Sequence, residues 1–212
     1  GEKKVNILLL HPQTTAWSLY NAGDPILIRA LHTRFLETIK MLERKHIVFH
    51  LGDEILLERH GRVEEGKLVL GEQKYSYVID SCCEVLLPNT KKLLDAFVKE
   101  GGLKVRAEEL ADNPVVNLPE ITYTKCSLDD FEVHFFVNSS AEEKMASFEV
   151  VGQVLDIYSG EMKAFKGKHV FEPWGSLIVL EDTKSRSGLE EVDCEEKKLP
   201  KKSMLSEKKL RL

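Results

Sequence analysis

The chain has 212 residues, 42% of them hydrophobic and 31% charged, with a formal net charge of -5. That length and balance describe a folded chain with a real core, one large domain or two small ones, rather than a disordered polymer. The acidic balance argues against nucleic acid as a partner, and the absence of any apolar run near the roughly 20 residues of a bilayer span argues against a membrane.

From the first residues, Val5 to Leu10 is a short apolar run closed by His11-Pro12, which reads as a buried strand. His11 to Asn21 follows as a polar, aromatic-bearing loop. Asp24-Pro25 then starts a helix whose apolar positions Ile28, Leu31, Phe35, Ile39 and Leu42 share one face to about Lys45. Ile47 to Leu51 reads as a second strand, so a right-handed parallel crossover is expected. A short helix over Ile55–His60, a hairpin over 62–70 and a third strand over Tyr75–Asp80 come next. Asn89-Thr90 is expected to cap a helix that ends at Gly101-Gly102, before a fourth strand over 103–105.

Strands alternating with helices predict a flavodoxin-like, three-layer α/β domain with a parallel sheet over residues 3–112. From about Asn113 the helical period disappears. Short alternating runs at 121–125, 131–138, 146–151, 153–157 and 176–180 predict a smaller antiparallel β-sandwich-type domain over 113–183. Residues 184–212 are rich in Lys, Glu and Ser, with too little apolar matter to bury, and read as a charged, flexible tail.

Chemical motifs are scarce. Cys82 and Cys83 follow the third strand, where some α/β folds place a nucleophile, yet no glycine flanks them to allow the tight elbow turn. Cys82, Cys83, Cys126 and Cys194 read as free structural thiols, which favours a soluble, cytoplasmic setting without fixing the compartment. The histidines His11, His32, His46, His50 and His60 are scattered, so no metal site is expected. No glycine-rich phosphate loop is present; Thr14-Thr15-Ala16-Trp17 is the only stretch that invites a flavin, and no cofactor is expected.

The candidate ligand-binding residues are those at the strand ends: His11, Trp17, Tyr20, Asn21, Asp53 and Glu54. Trp17 and Tyr20 suit stacking on a sugar or packing on a neighbouring domain. Asp53-Glu54 are adjacent, so they do not face each other across a glycosidic bond, and capping of the next helix is the first expectation for Asp53. No catalytic residue is assigned. Gly1 in the place of Met reads as a piece of a longer protein.

An ordered series of motifs carries a family resemblance. Leu10-His11-Pro12 with Thr15 to Tyr20, His46 to Glu54, Gly61-Arg62-Val63, Leu68 to Gly71, Lys74 to Ile79 and Phe97 to Gly102 recur in order. Phe135 to Asn138, Asp156 to Glu161 and Glu172 to Ser176 follow in the second half. Together they resemble the region after the catalytic barrel of α-L-rhamnosidase-type (family 106-like) glycoside hydrolases, over most of residues 5 to 183. The resemblance implies an amidotransferase-like or flavodoxin-like α/β domain and the start of a β-sandwich, both accessory to a barrel this chain does not contain. It implies partners among the other domains of a parent chain, and carbohydrate. The expected function is that of a non-catalytic accessory fragment. The alternatives are a standalone hydrolase using Cys82 or Cys83 with a histidine, or a small-molecule or flavin-binding module.

Overall fold

A computed structural model describes residues 5–183; the expectations for the charged tail and for Cys194 lie outside the described residues. The first part contains a four-stranded parallel sheet of β1 (Ile7–Leu10), β2 (His50–Gly52), β6 (Tyr77–Ile79) and β7 (Leu103–Lys104), in the order β2-β1-β6-β7. Successive side chains of β1 point to opposite faces. Leu8 and Leu10 join Val78 in one core with Leu57, Leu94 and Phe97, while Leu9 joins Ile79 in another with Leu31, Phe35 and Leu42. The first core is roofed by α3 (Glu54–His60) and α4 (Pro88–Lys99), the second by α1 (Gln13–Leu19) and α2 (Ile26–Arg44). Helices therefore cover both faces of the sheet, which explains why its two central strands, β1 and β6, are largely apolar and buried.

Two local departures from the sequence expectation have clear causes. The second strand starts at His50, because Ile47 belongs to the end of α2: its amide bonds Leu42 O at 3.0 Å, and His46 takes a left-handed φ of 53°. This is the usual helix-ending turn, with His where glycine is normally found. The run Tyr75–Asp80 divides in two. Asn6 O accepts both the Ser76 and Tyr77 amides at 3.1 Å, and this splits β5 (Gln73–Tyr75) from β6. β5 pairs instead with β4 (Lys67–Leu70), and β4 with β3 (Gly61–Glu64), in an antiparallel three-stranded sheet. Likewise α4 begins at Pro88 rather than being capped at Asn89, since a proline in the first turn sacrifices no hydrogen bond.

The second part has its own core. A five-stranded antiparallel sheet contains β8 (Ile121–Leu128), β9 (Phe131–Asn138), β11 (Gln153–Leu155), β12 (Met162–Ala164) and β14 (Ser176–Asp182), in the order β12-β11-β14-β9-β8. It faces a two-stranded sheet of β10 (Lys144–Ser147) and β13 (Lys168–Phe171). Phe136, Ile121, Leu177 and Val179 from the larger sheet meet Ala146 and Phe171 from the smaller. Strands β12 and β13 escape the sequence reading because they are short and keep lysines and exposed positions along their length. The strand expected over 146–151 ends at Ser147, and Phe148 makes only an isolated bridge to Val116.

The molecule is thus mixed α/β, with a parallel sheet and several antiparallel ones. Among the described residues no helix is long and apolar enough to cross a membrane.

Candidate functional site

The strand ends of the parallel sheet are knit together by the polar residues that the sequence puts forward. Gln13 opens α1 and lays its amide across the start of α3. Its Nε2 donates to Asp53 Oδ2 at 2.7 Å, and its Oε1 accepts from the Glu54 amide at 3.2 Å. Asp53 caps α3, with Oδ1 accepting from the Leu56 amide at 2.9 Å. That backbone donor, aided by Gln13, outweighs desolvation and holds the Asp53 carboxyl below its ordinary range.

Glu54 is fully buried. Its Oε1 accepts from the Thr14 amide at 3.0 Å and its Oε2 from the Leu87 amide at 2.9 Å, so one carboxylate binds the first turn of α1 to the loop before α4. A polar group so deeply buried needs partners, and both of its oxygens receive an amide donor. Thr15 completes the closure, donating to Val85 O and accepting from Val85 N, both at 2.9 Å. At this rim Gln13, Thr15, Asp53 and Glu54 engage one another and the backbone, while the buried Thr14 hydroxyl makes no hydrogen bond among the described residues.

The aromatic candidates sit differently. The expected loop is helix α1, and Trp17 and Tyr20 project from its end with 60% and 68% of their surface exposed. Asn21 turns back on the chain, accepting from the Gly23 amide at 3.0 Å. His11 packs edge-on against Phe35 with ring centres 5.2 Å apart. His11, Asp53 and Glu54 therefore gather at the strand ends, while the side chains of Trp17, Tyr20 and Asn21 make no hydrogen bond to Asp53 or Glu54 among the described residues. Cys82 is buried and Cys83 half-buried; burial pushes both thiols above their ordinary range, and Cys83 Sγ points at Leu10 O, 3.6 Å away. Nucleophilic chemistry needs the thiolate, which this setting disfavours.

A second polar assembly lies where the two parts meet, around a cavity of about 430 Å³ lined by His46, Asn113, Tyr123, Lys125, His134 and Glu181 among others. Tyr123 Oη is 3.1 Å from His134 Nδ1, and His134 Nε2 is 3.1 Å from Glu181 Oε2. A neutral imidazole satisfies both contacts if Nε2 carries the hydrogen and Tyr123 donates to Nδ1. Burial lowers the His134 pKa despite the Glu181 contact, and raises that of Tyr123. Desolvation opposes the Glu132 charge, but the Lys125 ammonium at 2.7 Å and the Ser127 hydroxyl at 2.6 Å together hold its carboxyl below the ordinary range.

Sequence reasoning recognised β8 and β9 but not this row. Period-two alternation puts Tyr123 and Lys125 on one face of β8, and Glu132 and His134 on one face of β9. Bringing them together required the register Lys125↔His134, which no single strand displays. On the α/β side the junction is fixed by main-chain and polar contacts. His46 Nε2 lies 3.1 Å from Leu118 O, and Asn113 Nδ2 donates to His46 O at 3.2 Å. The Asn113 amide donates to Lys45 O at 2.8 Å, and Lys45 Nζ to Leu110 O at 2.6 Å.

No family model and no curated protein matches the chain. Among solved structures it is similar to a catalytic mutant of Gan42B, a GH42 beta-galactosidase from G. stearothermophilus. That likeness has a TM-score of 0.56 at 11% identity, over 85% of this chain and 41% of that one. A second Gan42B structure gives 0.55 at 10% identity, over 84% and 40%. A rhamnosidase from Novosphingobium sp. PP1Y gives 0.47 at 11% identity, over 65% and 20%. The chain therefore spans about two fifths of the Gan42B chains and one fifth of the rhamnosidase chain. At these identities the likeness is one of fold.

Proposed function

We propose that this chain is a non-catalytic accessory region of a glycoside hydrolase-like protein, supporting or completing a carbohydrate-processing barrel that lies outside it. The observation that carries the reading is that Gan42B matches both the α/β and the β part of this chain within a fraction of its own length. The parallel order β2-β1-β6-β7, helices on both faces, supports a flavodoxin-like, amidotransferase-like domain over 3–112, with a sandwich-type domain over 113–183. The finer assignment to rhamnosidase-type (family 106-like) enzymes rests on the order of sequence motifs.

The strand-end chemistry favours this reading over a standalone hydrolase. Glu54 and Asp53 are committed to backbone amides, and burial pushes the Cys82 and Cys83 thiols above their ordinary range. The exposed side chains Trp17, Tyr20, Ile26 and Leu27 supply apolar surface for the proposed neighbouring barrel. The test is twofold. The genomic reading frame that encodes this chain is expected to continue upstream into a barrel carrying two well-separated acids, and the isolated chain is expected to leave nitrophenyl glycosides intact. A start codon immediately before Glu2, or turnover that survives purification and disappears on substitution of a residue in this chain, overturns the proposal.

A further inference from the structure

The turn Glu172–Gly175 holds a tryptophan where the backbone asks for glycine. The Gly175 amide bonds Glu172 O at 2.9 Å, closing a four-residue turn with Pro173 second and Trp174 third. Trp174 has φ 61°, the left-handed value that this third position of a type II turn demands and that a bulky residue rarely adopts. Its amide is tied to Ser140 O at 3.1 Å, so the conformation is held from outside the turn. Such outliers collect at functional sites. The side chain is mostly open to solvent: 67% of Trp174 is exposed.

Opposite it stands the hairpin between β11 and β12. Asp156 Oδ1 accepts from the Tyr158 and Ser159 amides at 2.9 and 3.1 Å, and the Gly160 amide bonds Asp156 O at 2.8 Å. This rigid turn presents Tyr158 with 96% of its surface exposed. Tyr158 and Trp174 both line a cavity of about 560 Å³, within the range of small-ligand sites. Phe135, Val154 and Ile178 are among its apolar lining, and Asp156, His169, Glu172 and Ser176 bring polar groups.

We infer that this cleft on the β part binds a neutral glycan, with Tyr158 and Trp174 as the stacking faces and Glu172, His169 and Ser176 as hydroxyl partners. The chemistry selects the ligand class. A pyranose offers patches of C–H that lie flat on an aromatic ring, beside hydroxyls that need both donors and acceptors, and the cleft supplies both. His169 is a neutral imidazole near pH 7, since burial lowers its pKa, and so can donate at one nitrogen and accept at the other. Charge disfavours acidic glycans: Asp156 and Glu172 line the cleft, and no Lys or Arg is among its described lining residues. Rigid aromatics on fixed turns lose little freedom on binding. The inference rests on the cleft itself and stands or falls separately from the proposed accessory role.

The test is calorimetric titration of the whole chain with cellotriose, galactotriose and a trigalacturonate. Saturable binding of a neutral trisaccharide is expected, with none of the uronate. Trp174→Gly relieves the backbone and is expected to melt at or above the parent temperature, yet to bind at least about tenfold more weakly, the scale of losing a central aromatic contact. Tyr158→Ala, on an exposed tip, is expected to weaken binding without changing the melting temperature. No binding of either neutral trisaccharide, equal binding of the uronate, or undiminished binding by folded Trp174→Gly overturns the inference.

Discussion

Two regions of this molecule, the strand-end rim and the cleft of the β part, use their polar and aromatic side chains in opposite ways. At the strand ends of the parallel sheet Gln13, Thr15, Asp53 and Glu54 satisfy one another and the nearby backbone, so the polar groups close the fold. In the cleft of the β part, Tyr158 and Trp174 are held outward by turns closed by main-chain bonds, the Asp156 carboxylate and the Ser159 hydroxyl. The difference teaches that residue type does not mark a binding site; what matters is whether the hydrogen-bonding capacity is already consumed.

The largest expected effect tests the closed rim. Glu54→Ala leaves the Thr14 and Leu87 amides without their acceptor in a buried setting. It is expected to cost about 3 kcal/mol in urea unfolding, and Glu54→Gln clearly less. A neutral Glu54→Ala would break the comparison, because the carboxylate would then be free for other work. Next comes the open cleft: Trp174→Gly is expected to stabilise the fold by about 1 kcal/mol, read as a higher melting temperature, because it removes a left-handed conformation from a side-chain-bearing residue. A destabilised Trp174→Gly would mean that the indole is packing rather than being presented.

His46 offers an internal control, being another left-handed residue but one whose ring is used. His46→Ala keeps the strain and loses the Leu118 contact, so a loss of about 1 kcal/mol is expected. His46→Gly should lose less, since relief of strain offsets the missing bond. The smallest effect is a slope. Burial depresses the His134 pKa in the folded chain, so its stabilising share is full above the unfolded value of about 6.5 and declines as pH falls through and below it. His134→Gln is expected to flatten that segment of the stability-against-pH curve in chemical denaturation; an unchanged slope would assign it to other groups.

Much of the architecture was legible because it is local. The apolar run of β1, the one-sided face of α2, the capping role of Asp53 and the alternation of β9 all follow from residue period and end signals. What escaped depended on distant partners or on broken rules. Nothing near Tyr75 says that Asn6 will divide its strand, and nothing in Ile47 says that His46 will take a glycine's conformation. The candidate site was legible only in part. His11, Asp53 and Glu54 lie at the strand ends, whereas Trp17 stands exposed on α1 and Tyr20 just past its end. Trp174 was readable in principle: Glu172-Pro173-Trp174-Gly175 is a turn sequence with a large aromatic in a position that favours glycine. The register that joins Tyr123, His134 and Glu181 was not.

The chain has two tryptophans, one at each region, so a single experiment weighs the rim against the cleft. In an amide-correlation NMR spectrum of the whole chain, with Trp174→Gly assigning the two indole N–H signals, cellotriose or galactotriose is added to saturation. The account predicts that the Trp174 signal moves and the Trp17 signal stays. Movement of Trp17 alone, with Trp174 unmoved, would contradict it and return ligand binding to the strand ends.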